Sequence, residues 1–202
     1  MATILLIRHG ETDYIGKRLA GHLPGVHLNA KGRQQAEKLA VVVVSTHPVK
    51  AIYSSPLERA QETATPLAVK CKISLQLAPG LMEVNFGNLQ GKTAGQLKHL
   101  KLWKQVHVDP SSVHFPGGES YFEAQHRAIS EIERIQSIHG KDDLVVCVSH
   151  ADTIRLIITH YLHMPLKEFQ CLTIDPASIS TLRFTDNRFQ LLNMNEKLEI
   201  SA

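Results

Sequence analysis

Apolar residues along the chain form short continuous runs that alternate with stretches in which they recur about every 3.6 positions. The short runs are rich in β-branched residues and are bounded by polar or turn-forming residues, which is typical of buried strands. They predict strands at residues 3–7, 51–54, 73–77 and 144–148. The helical spacing predicts helices from Asn29 through 43, from 56, from 120 toward 140 and from about 153 to 162. Alternating apolar residues on both sides of 185–188 predict a terminal β-hairpin.

Two tetrapeptides carry the signal of a helix start. Ser55, Pro56 and Glu58 combine a capping serine, a proline at the first helical position and a glutamate three residues after the cap. Ser120 and Glu123 repeat the capping-box spacing. The sequence therefore predicts one helix that begins at Pro56 and another that follows Ser120.

The alternation of strand and helix predicts an α/β fold. We expect a three-layer sandwich with a largely parallel central sheet, helices on both faces and antiparallel edge strands from the terminal hairpin. Because 43% of the 202 residues are apolar and no repeat or linker divides them, we expect residues 1–202 to form a single domain. The glycine- and proline-containing segment at about 86–118 is less regular, and we expect it to be lid-like.

Composition narrows the classes of function. The net charge of +3 comes without a basic run or an aromatic platform, so we expect no nucleic-acid partner. The apolar runs are far shorter than the roughly 20 residues of a membrane span, and the segment before Arg8 does not resemble a signal peptide, so we expect no membrane partner. Cys71, Cys147 and Cys171 lack the spacing of a disulfide scaffold, which favours the cytoplasm.

Residues suited to phosphate chemistry follow three of the predicted strands. Arg8 and His9 end the first strand, Arg59 lies just after the second, and His150 follows the most apolar strand. Because ligands of open α/β sheets bind beyond the carboxyl ends of the strands, we expect these side chains to converge. Guanidinium groups bind phosphate oxygens, and a neutral imidazole can attack phosphorus. Glu83, just before a glycine-containing loop, is the candidate acid for the leaving oxygen.

Five segments around these residues resemble the motifs of the histidine phosphatase superfamily, also called phosphoglycerate mutase-like. In chain order they are RHGET at 8–12, SSPLERAQETA at 54–64, LMEVNFG at 81–87, GES at 118–120 and VSH at 148–150. The resemblance spans roughly residues 3 to 184. It implies that His9 is the phosphorylated nucleophile and Glu83 the proton donor. It also implies that the phosphoryl group is bound by Arg8, Arg59 and His150.

The chain departs from the family pattern at three places. Tyr14 and Ile15 stand where members often have Trp-Asn or a similar pair, so a phosphate-contacting asparagine is absent. Ala20 replaces the glutamine of the family's G-R-x-Q-G segment. Ala151 replaces the glycine after His150 and still offers its backbone N–H to a substrate. The chain also lacks the insertion of the cofactor-dependent mutases, which favours the phosphatase branch.

We therefore expect a metal-independent, acid-type histidine phosphatase that hydrolyses a small phosphorylated metabolite through a phosphohistidine, without a cofactor. Lys17 and Arg18 are candidates for binding a remote anionic group of the substrate. His160 and His163 have helical spacing but no third ligand, so we expect a surface pair rather than a metal site. Two alternatives keep the fold: a phosphoglycerate mutase-type phosphomutase and a catalytically silent phosphate-binding module. The sequence leaves the natural ester and a homodimer open.

Overall fold

The computed structural model describes residues 2–46, 48–185 and 188–197. Within these ranges six strands form one mixed sheet of order β3-β2-β4-β1-β5-β6. The first four strands pair in parallel, whereas β5 pairs antiparallel with both β1 and β6. The strands are β1 Thr3–Arg8, β2 Val49–Ser54, β3 Leu75–Leu77, β4 Leu144–Ser149, β5 Ile179–Thr185 and β6 Arg188–Glu196.

Helices cover both faces of the sheet, which confirms the predicted α/β sandwich. On one face α1 and α2 pack against alternate residues of β1, including Leu5 and Ile7. On the other face α5 and α6 pack against Ile4 and Leu6. Because successive side chains of a strand point to opposite faces, a strand buried on both sides must be apolar throughout. The helices are α1 Ala30–Thr46, α2 Glu58–Cys71, α3 Ala94–Leu97, α4 Lys101–Val108, α5 Tyr121–Ser137 and α6 Ala151–Tyr161.

The segment predicted to be irregular, 86–118, contains the short helices α3 and α4 and shares a small apolar cluster with residues of α5 and α6. Phe115 lies at its centre, with ring centroids 5.0 Å from Phe86 and 5.4 Å from Tyr121, both in edge-to-face geometry. Edge-to-face aromatic pairs of this kind contribute energy beyond their buried area. The segment is therefore packed onto the start of α5. Its lid-like role, like the single-domain organisation of 1–202, stays a prediction.

The two predicted capping boxes have different outcomes. The box at Ser120 is confirmed: its side chain accepts a hydrogen bond from the backbone N–H of Glu123, and α5 begins at the next residue. The box at Ser55 is wrong. The helix α2 begins at Glu58 rather than Pro56, and its N-cap residue Leu57 makes no side-chain cap. The Ser55 hydroxyl is instead engaged by the site described below, and the Glu58 carboxylate accepts the N–H of Gly25 at 3.0 Å.

The remaining boundaries differ by a few residues from the predicted ones. The strand predicted at 73–77 is reduced to Leu75–Leu77, and α6 begins at Ala151 rather than near Thr153. The terminal hairpin is confirmed by the antiparallel pairing of β5 with β6, while Asp186 and Asn187 of its turn lie outside the described residues. Among the helices of the described ranges, none combines the length and the apolar character that crossing a bilayer requires.

Candidate active site

His9 lies directly after β1 and is almost completely buried, with 5% of its surface exposed. Its Nδ1 is 2.7 Å from the carbonyl oxygen of Gly10. Since a carbonyl only accepts, Nδ1 must carry the proton, which leaves a lone pair on Nε2. The Nε–H of Arg59 donates to this Nε2 at 3.3 Å, in agreement with that tautomer. The strand end therefore presents an imidazole whose Nε2 is a free base.

Two arginines lie beside His9 without a carboxylate partner. Arg59, in the first turn of α2, is 1% exposed and donates from Nη2 to the carbonyl of Gly21 at 2.8 Å. Arg8 donates from Nη1 to the carbonyl of Ile174 at 2.6 Å. Within the described ranges no carboxylate forms an ion pair with either guanidinium, and Nη1 of Arg59 and Nε of Arg8 are buried without a hydrogen-bond partner. Because a buried cation is costly unless paired, this arrangement is suited to an anion.

His150 is the second histidine of the site and forms the N-cap position of α6. Its ring centroid is 5.1 Å from that of His9, and its Nε2 is 2.8 Å from the hydroxyl of Ser55. Its Nδ1 is buried and has no partner among the described residues. The contact with Ser55 spans 95 residues of sequence. The same hydroxyl also accepts the backbone N–H of Leu57 at 3.3 Å, in the turn that precedes α2.

The electrostatics of the site keep both histidines neutral. Burial, together with the positive charges of Arg59 and Arg8, holds the pKa of His9 well below its ordinary value. Burial and the charge of Arg59 lower the pKa of His150 in the same way. Burial lowers the pKa of Arg59 to about 10, which leaves it a cation at neutral pH. The site therefore combines neutral imidazoles with charged guanidinium groups.

Glu83 is brought to the same place by the first turn of α6. Its Oε1 accepts from the backbone N–H of Val84 at 3.0 Å and from the N–H and hydroxyl of Thr153 at 3.1 and 3.2 Å. Its Oε2 has one longer contact, 3.4 Å to the N–H of Asp152. The Glu83 carboxyl group lies close enough to Arg8 and Arg59 to act on the pKa of both guanidinium groups. The five side chains that the sequence singles out as catalytic are therefore gathered at one edge of the sheet.

The other candidate substrate-binding residues are Ala151, Arg18 and Lys17, and their contacts do not define a role. Ala151 is the first residue of α6, directly after His150. Arg18 donates from Nη1 to the carbonyl of Gly91 at 3.0 Å, at an exposed position. The side chain of Lys17 is exposed. In the part of the chain that the structure describes, no hydrogen bond joins Lys17 or Arg18 to the histidines, so their role stays a prediction.

Two residues that contact the site, Thr63 and His22, were not predicted from the sequence. Thr63 accepts the backbone N–H of Gly10 at 2.9 Å and fixes the residue after His9. His22 lies in a loop, where the sequence predicts a surface residue. Its Nε2 is 2.5 Å from the carbonyl oxygen of Glu83. Thr63 lies inside the motif segment at 54–64, so its position could have been used to identify it. Nothing in the sequence around His22 indicates its contact, because its partner lies 61 residues away.

Across the described ranges, no three His, Cys, Asp or Glu side chains are grouped closely enough to hold an ion, and His160 and His163 belong to no such group. His160 lies instead in edge-to-face contact with Tyr161, at a centroid distance of 5.1 Å.

The fold and this constellation agree with a family model for the histidine phosphatase superfamily (branch 1), which matches residues 4–197. The chain belongs to this superfamily. It is 35% identical over 159 residues to phosphoglycerate mutase-like protein 4 of Arabidopsis thaliana, covering 76% of this chain and 68% of that one. It is 27% identical over 197 residues to phosphoserine phosphatase 1 of Hydrogenobacter thermophilus, covering 96% and 92% of the two chains. The structure of a mycobacterial glucosyl-3-phosphoglycerate phosphatase with VO3 superposes with a TM-score of 0.87 at 26% identity, covering 98% of this chain and 100% of that one.

Proposed function

We propose that the protein is a metal-independent, acid-type phosphomonoesterase that hydrolyses a small phosphorylated metabolite through a phosphohistidine at His9. The observation that carries the proposal is the setting of Nε2 of His9. The Gly10 carbonyl fixes the proton on Nδ1, and the Arg59 guanidinium lies at 3.3 Å from the free Nε2. A nucleophilic nitrogen and an anion-binding guanidinium group are therefore direct neighbours in the site.

In the first step, Nε2 of His9 attacks phosphorus and the bond between phosphorus and the ester oxygen breaks. The N–H groups of Arg8, Arg59 and His150 bind the phosphoryl oxygens as charge shifts during transfer. Glu83 gives its proton to the departing oxygen. Since Oε1 of Glu83 already accepts three hydrogen bonds, Oε2 is the oxygen that holds this proton.

In the second step, a water molecule hydrolyses the phosphohistidine. The Glu83 carboxylate takes a proton from the water, whose oxygen attacks phosphorus. The P–N bond breaks, its electron pair returns to Nε2, and inorganic phosphate leaves. The enzyme is then back in its starting state with Glu83 protonated, and no metal ion or cofactor enters either step.

The names of similar proteins support the substrate class. One similar protein is named a phosphoserine phosphatase and another a glucosyl-3-phosphoglycerate phosphatase. Both names describe hydrolases of phosphomonoesters of small metabolites. We assign Lys17 and Arg18 to the remote end of the substrate and the N–H of Ala151 to the phosphoryl group. Cys71, Cys147 and Cys171 are free thiols, which supports a cytoplasmic location.

A phosphate-release assay over a panel of phosphorylated metabolites, with excess EDTA present, tests the proposal. We expect EDTA to leave turnover unchanged and His9→Ala to lower kcat by about a thousandfold or more, since the covalent nucleophile is lost. His126→Ala, at an exposed position on α5, is the matched control and should retain full activity. When turnover is stopped by rapid quenching, acid-labile phosphate should be found covalently bound to the wild-type protein and not to the His9→Ala variant.

Three outcomes would point elsewhere. Full activity of His9→Ala would exclude the phosphohistidine, and loss of turnover in EDTA would exclude the metal-free mechanism. Interconversion of 2- and 3-phosphoglycerate much faster than phosphate release would favour a phosphomutase, which the name of the Arabidopsis relative suggests. Phosphate binding without turnover on any ester of the panel would favour a silent binding module.

A further inference from the structure

The peptide that carries Glu83 is irregular, and one guanidinium contacts it at three carbonyl groups. Arg127 of α5 donates from Nη1 to the carbonyl of Gly80 at 2.7 Å and to that of Met82 at 3.1 Å. Its Nη2 donates to the carbonyl of Glu83 itself at 3.3 Å. Residues 82–86 have no regular hydrogen-bond ladder. Arg127 therefore joins three carbonyls of this segment, of which that of Met82 also accepts from the hydroxyl of Thr153 at 2.7 Å.

Arg127 is in turn held by Glu119 from the segment before α5. The two side chains form a bidentate pair, with Nη2 2.8 Å from one carboxylate oxygen and Nε 3.3 Å from the other. Glu119 also accepts the backbone N–H of Asn85 at 2.8 Å and donates its own N–H to the carbonyl of Asn85 at 3.0 Å. A planar guanidinium is suited to this fork, and an ammonium group cannot reproduce it.

His22 supports the same peptide from the opposite side. Because carbonyls only accept, its Nε2–H donates to the carbonyl oxygen of Glu83, at 2.5 Å. The adjacent Gly21 carbonyl accepts from Arg59. The Glu83 peptide is thus fixed between α5 and the loop that covers the phosphate-binding arginine.

We propose that Arg127, oriented by Glu119, is a positioning residue that holds the Glu83 carboxyl group where it can give its proton to the leaving oxygen of an ester attacked by Nε2 of His9. This inference rests on the proposed function, in which Glu83 protonates the leaving oxygen. Arg127 contacts only the backbone around Glu83 and does not touch the carboxylate. Its loss should therefore impair proton transfer and leave the binding of the phosphoryl group by Arg8, Arg59 and His150 intact.

The test compares esters that differ in their need for an acid. An alkyl ester such as glycerol phosphate must have its leaving oxygen protonated, whereas the nitrophenolate of p-nitrophenyl phosphate leaves without help. For Arg127→Gln we expect kcat on glycerol phosphate to fall at least tenfold, kcat on p-nitrophenyl phosphate to fall less than threefold, and KM to change little. Arg127→Lys should recover part of the loss, since one ammonium can still bind a carbonyl.

Arg183→Gln is the control. Arg183 is exposed on β5 and is paired with Thr3, at the end of β1 opposite to His9. We expect this substitution to leave kcat on both esters unchanged. If Arg127→Gln proves poorly folded by circular dichroism, Glu119→Gln replaces it, because the amide keeps the shape and loses the charge of the pair. An equal loss on both esters, or no loss on either, would overturn the proposal.

A double-mutant cycle with Glu83→Gln establishes whether Arg127 acts through Glu83. If it does, the double variant should lose no more activity on glycerol phosphate than Glu83→Gln alone. Additive losses would mean that Arg127 acts by another route and would overturn the inference. A different result marks failure of the proposed function: Glu83→Gln would then affect both esters equally, or His9→Ala would stay active.

Discussion

At the scale of single residues, the same cations serve two purposes in the candidate site. In the proposed reaction Arg8 and Arg59 bind the phosphoryl group, and their charges also keep His9 unprotonated. A histidine nucleophile must be neutral to attack phosphorus, so no separate base has to remove its proton. Burial works in the same direction for His9 and His150. The proposed nucleophile is therefore already unprotonated before a substrate binds.

Asp152 is a second carboxyl group beside Glu83, and the proposed reaction does not use it. It follows Ala151 in the first turn of α6 and pairs with Arg155 at 2.8 Å. Burial and the charge of Glu83 raise its pKa to about 6, and the pull of Arg155 and Arg8 only partly offsets this. The native state thus holds this proton more tightly than the unfolded chain. The ionised carboxylate costs stability above pH 6, and the cost disappears as the pH falls toward 4.

We therefore expect Asp152→Asn to stabilise the protein at neutral pH. The two-unit difference in pKa corresponds to at most about 3 kcal/mol, and the asparagine oxygen can still accept from Arg155. Urea unfolding should show the gain at pH 7.5 and little or none at pH 4.5. Asp142→Asn, at an exposed position, serves as the control and should change little. Destabilisation at pH 7.5, or an equal gain at both pH values, would contradict the assigned cost.

The sequence predicts individual residues well where the rule is local and poorly where the partner is distant. Arg8, His9 and His150 could be located because they follow strands directly. The use of Ser55 could not be predicted, because the same serine spacing suits a helix cap and a contact with His150, and only the folded chain decides between them. The contacts of Arg127 could not be predicted for a similar reason, since its partners at Gly80 and Glu83 lie 47 and 44 residues away.

At the scale of elements, α1 is packed directly against the backbone that carries His9. A β-carbon added at Gly32, in the first turn of α1, would lie 2.1 Å from the carbonyl oxygen of Glu11. One added at Gly10 would lie 2.7 Å from the carbonyl oxygen of Gly32. Backbone approaches of this kind require glycine on both sides. The position of α1 is therefore coupled to the backbone geometry of residues 8–10, the Arg-His-Gly segment that contains His9.

This coupling gives a prediction for Gly32→Ala. Alanine has the better helix propensity by about 1 kcal/mol, but the added methyl group meets rigid backbone, and such overpacking costs roughly 1–3 kcal/mol. At 2.1 Å the clash should win, so we expect a lower melting temperature and reduced kcat together.

Gly95→Ala is the matched control for this prediction. Gly95 is also helical, in α3, and its added β-carbon would meet only Thr93 Oγ1 at 3.7 Å. We expect this variant to be neutral or slightly stabilised and fully active. A stabilised Gly32→Ala variant with normal turnover would show that α1 can shift without disturbing His9.

Elements buried on both faces are the ones that the sequence predicts most accurately. β1 and β4 are continuous apolar runs, and their predicted and observed bounds differ by one residue at the carboxyl end. The helices α3 and α4 were not predicted, because they are short and their apolar residues pack against Phe115 and its aromatic neighbours. Isolated helices of such length are marginal in water, so tertiary contacts and not local propensity form them.

At the scale of the whole molecule, the candidate site makes stability depend on pH. His9 and His150 are neutral in the native state and regain their ordinary pKa when the chain unfolds. Their folded pKa values are depressed, so their contribution is complete above the unfolded value of 6.5 and is lost as the pH falls below it. Asp152 acts in the opposite direction below pH 6. The other carboxyl groups with shifted pKa, such as Asp143 and Asp175, have lowered values and act only in more acidic solution.

Between pH 6 and pH 5, the unfolded chain should therefore bind more protons than the native state at the two histidines and fewer at Asp152. Because two histidines oppose one carboxyl group, we expect the free energy of unfolding to fall as the pH decreases over this interval; each proton of net uptake contributes roughly 1.4 kcal/mol per pH unit. His150→Gln, whose amide can still meet Ser55, should remove one of the two histidine protons and flatten this slope. Asp152→Asn should steepen it by a similar amount, and His126→Gln on the exposed face of α5 should leave it unchanged. Urea unfolding at closely spaced pH values measures all four slopes, and a slope in His150→Gln equal to that of the wild type would mean that the native state does not keep His150 neutral.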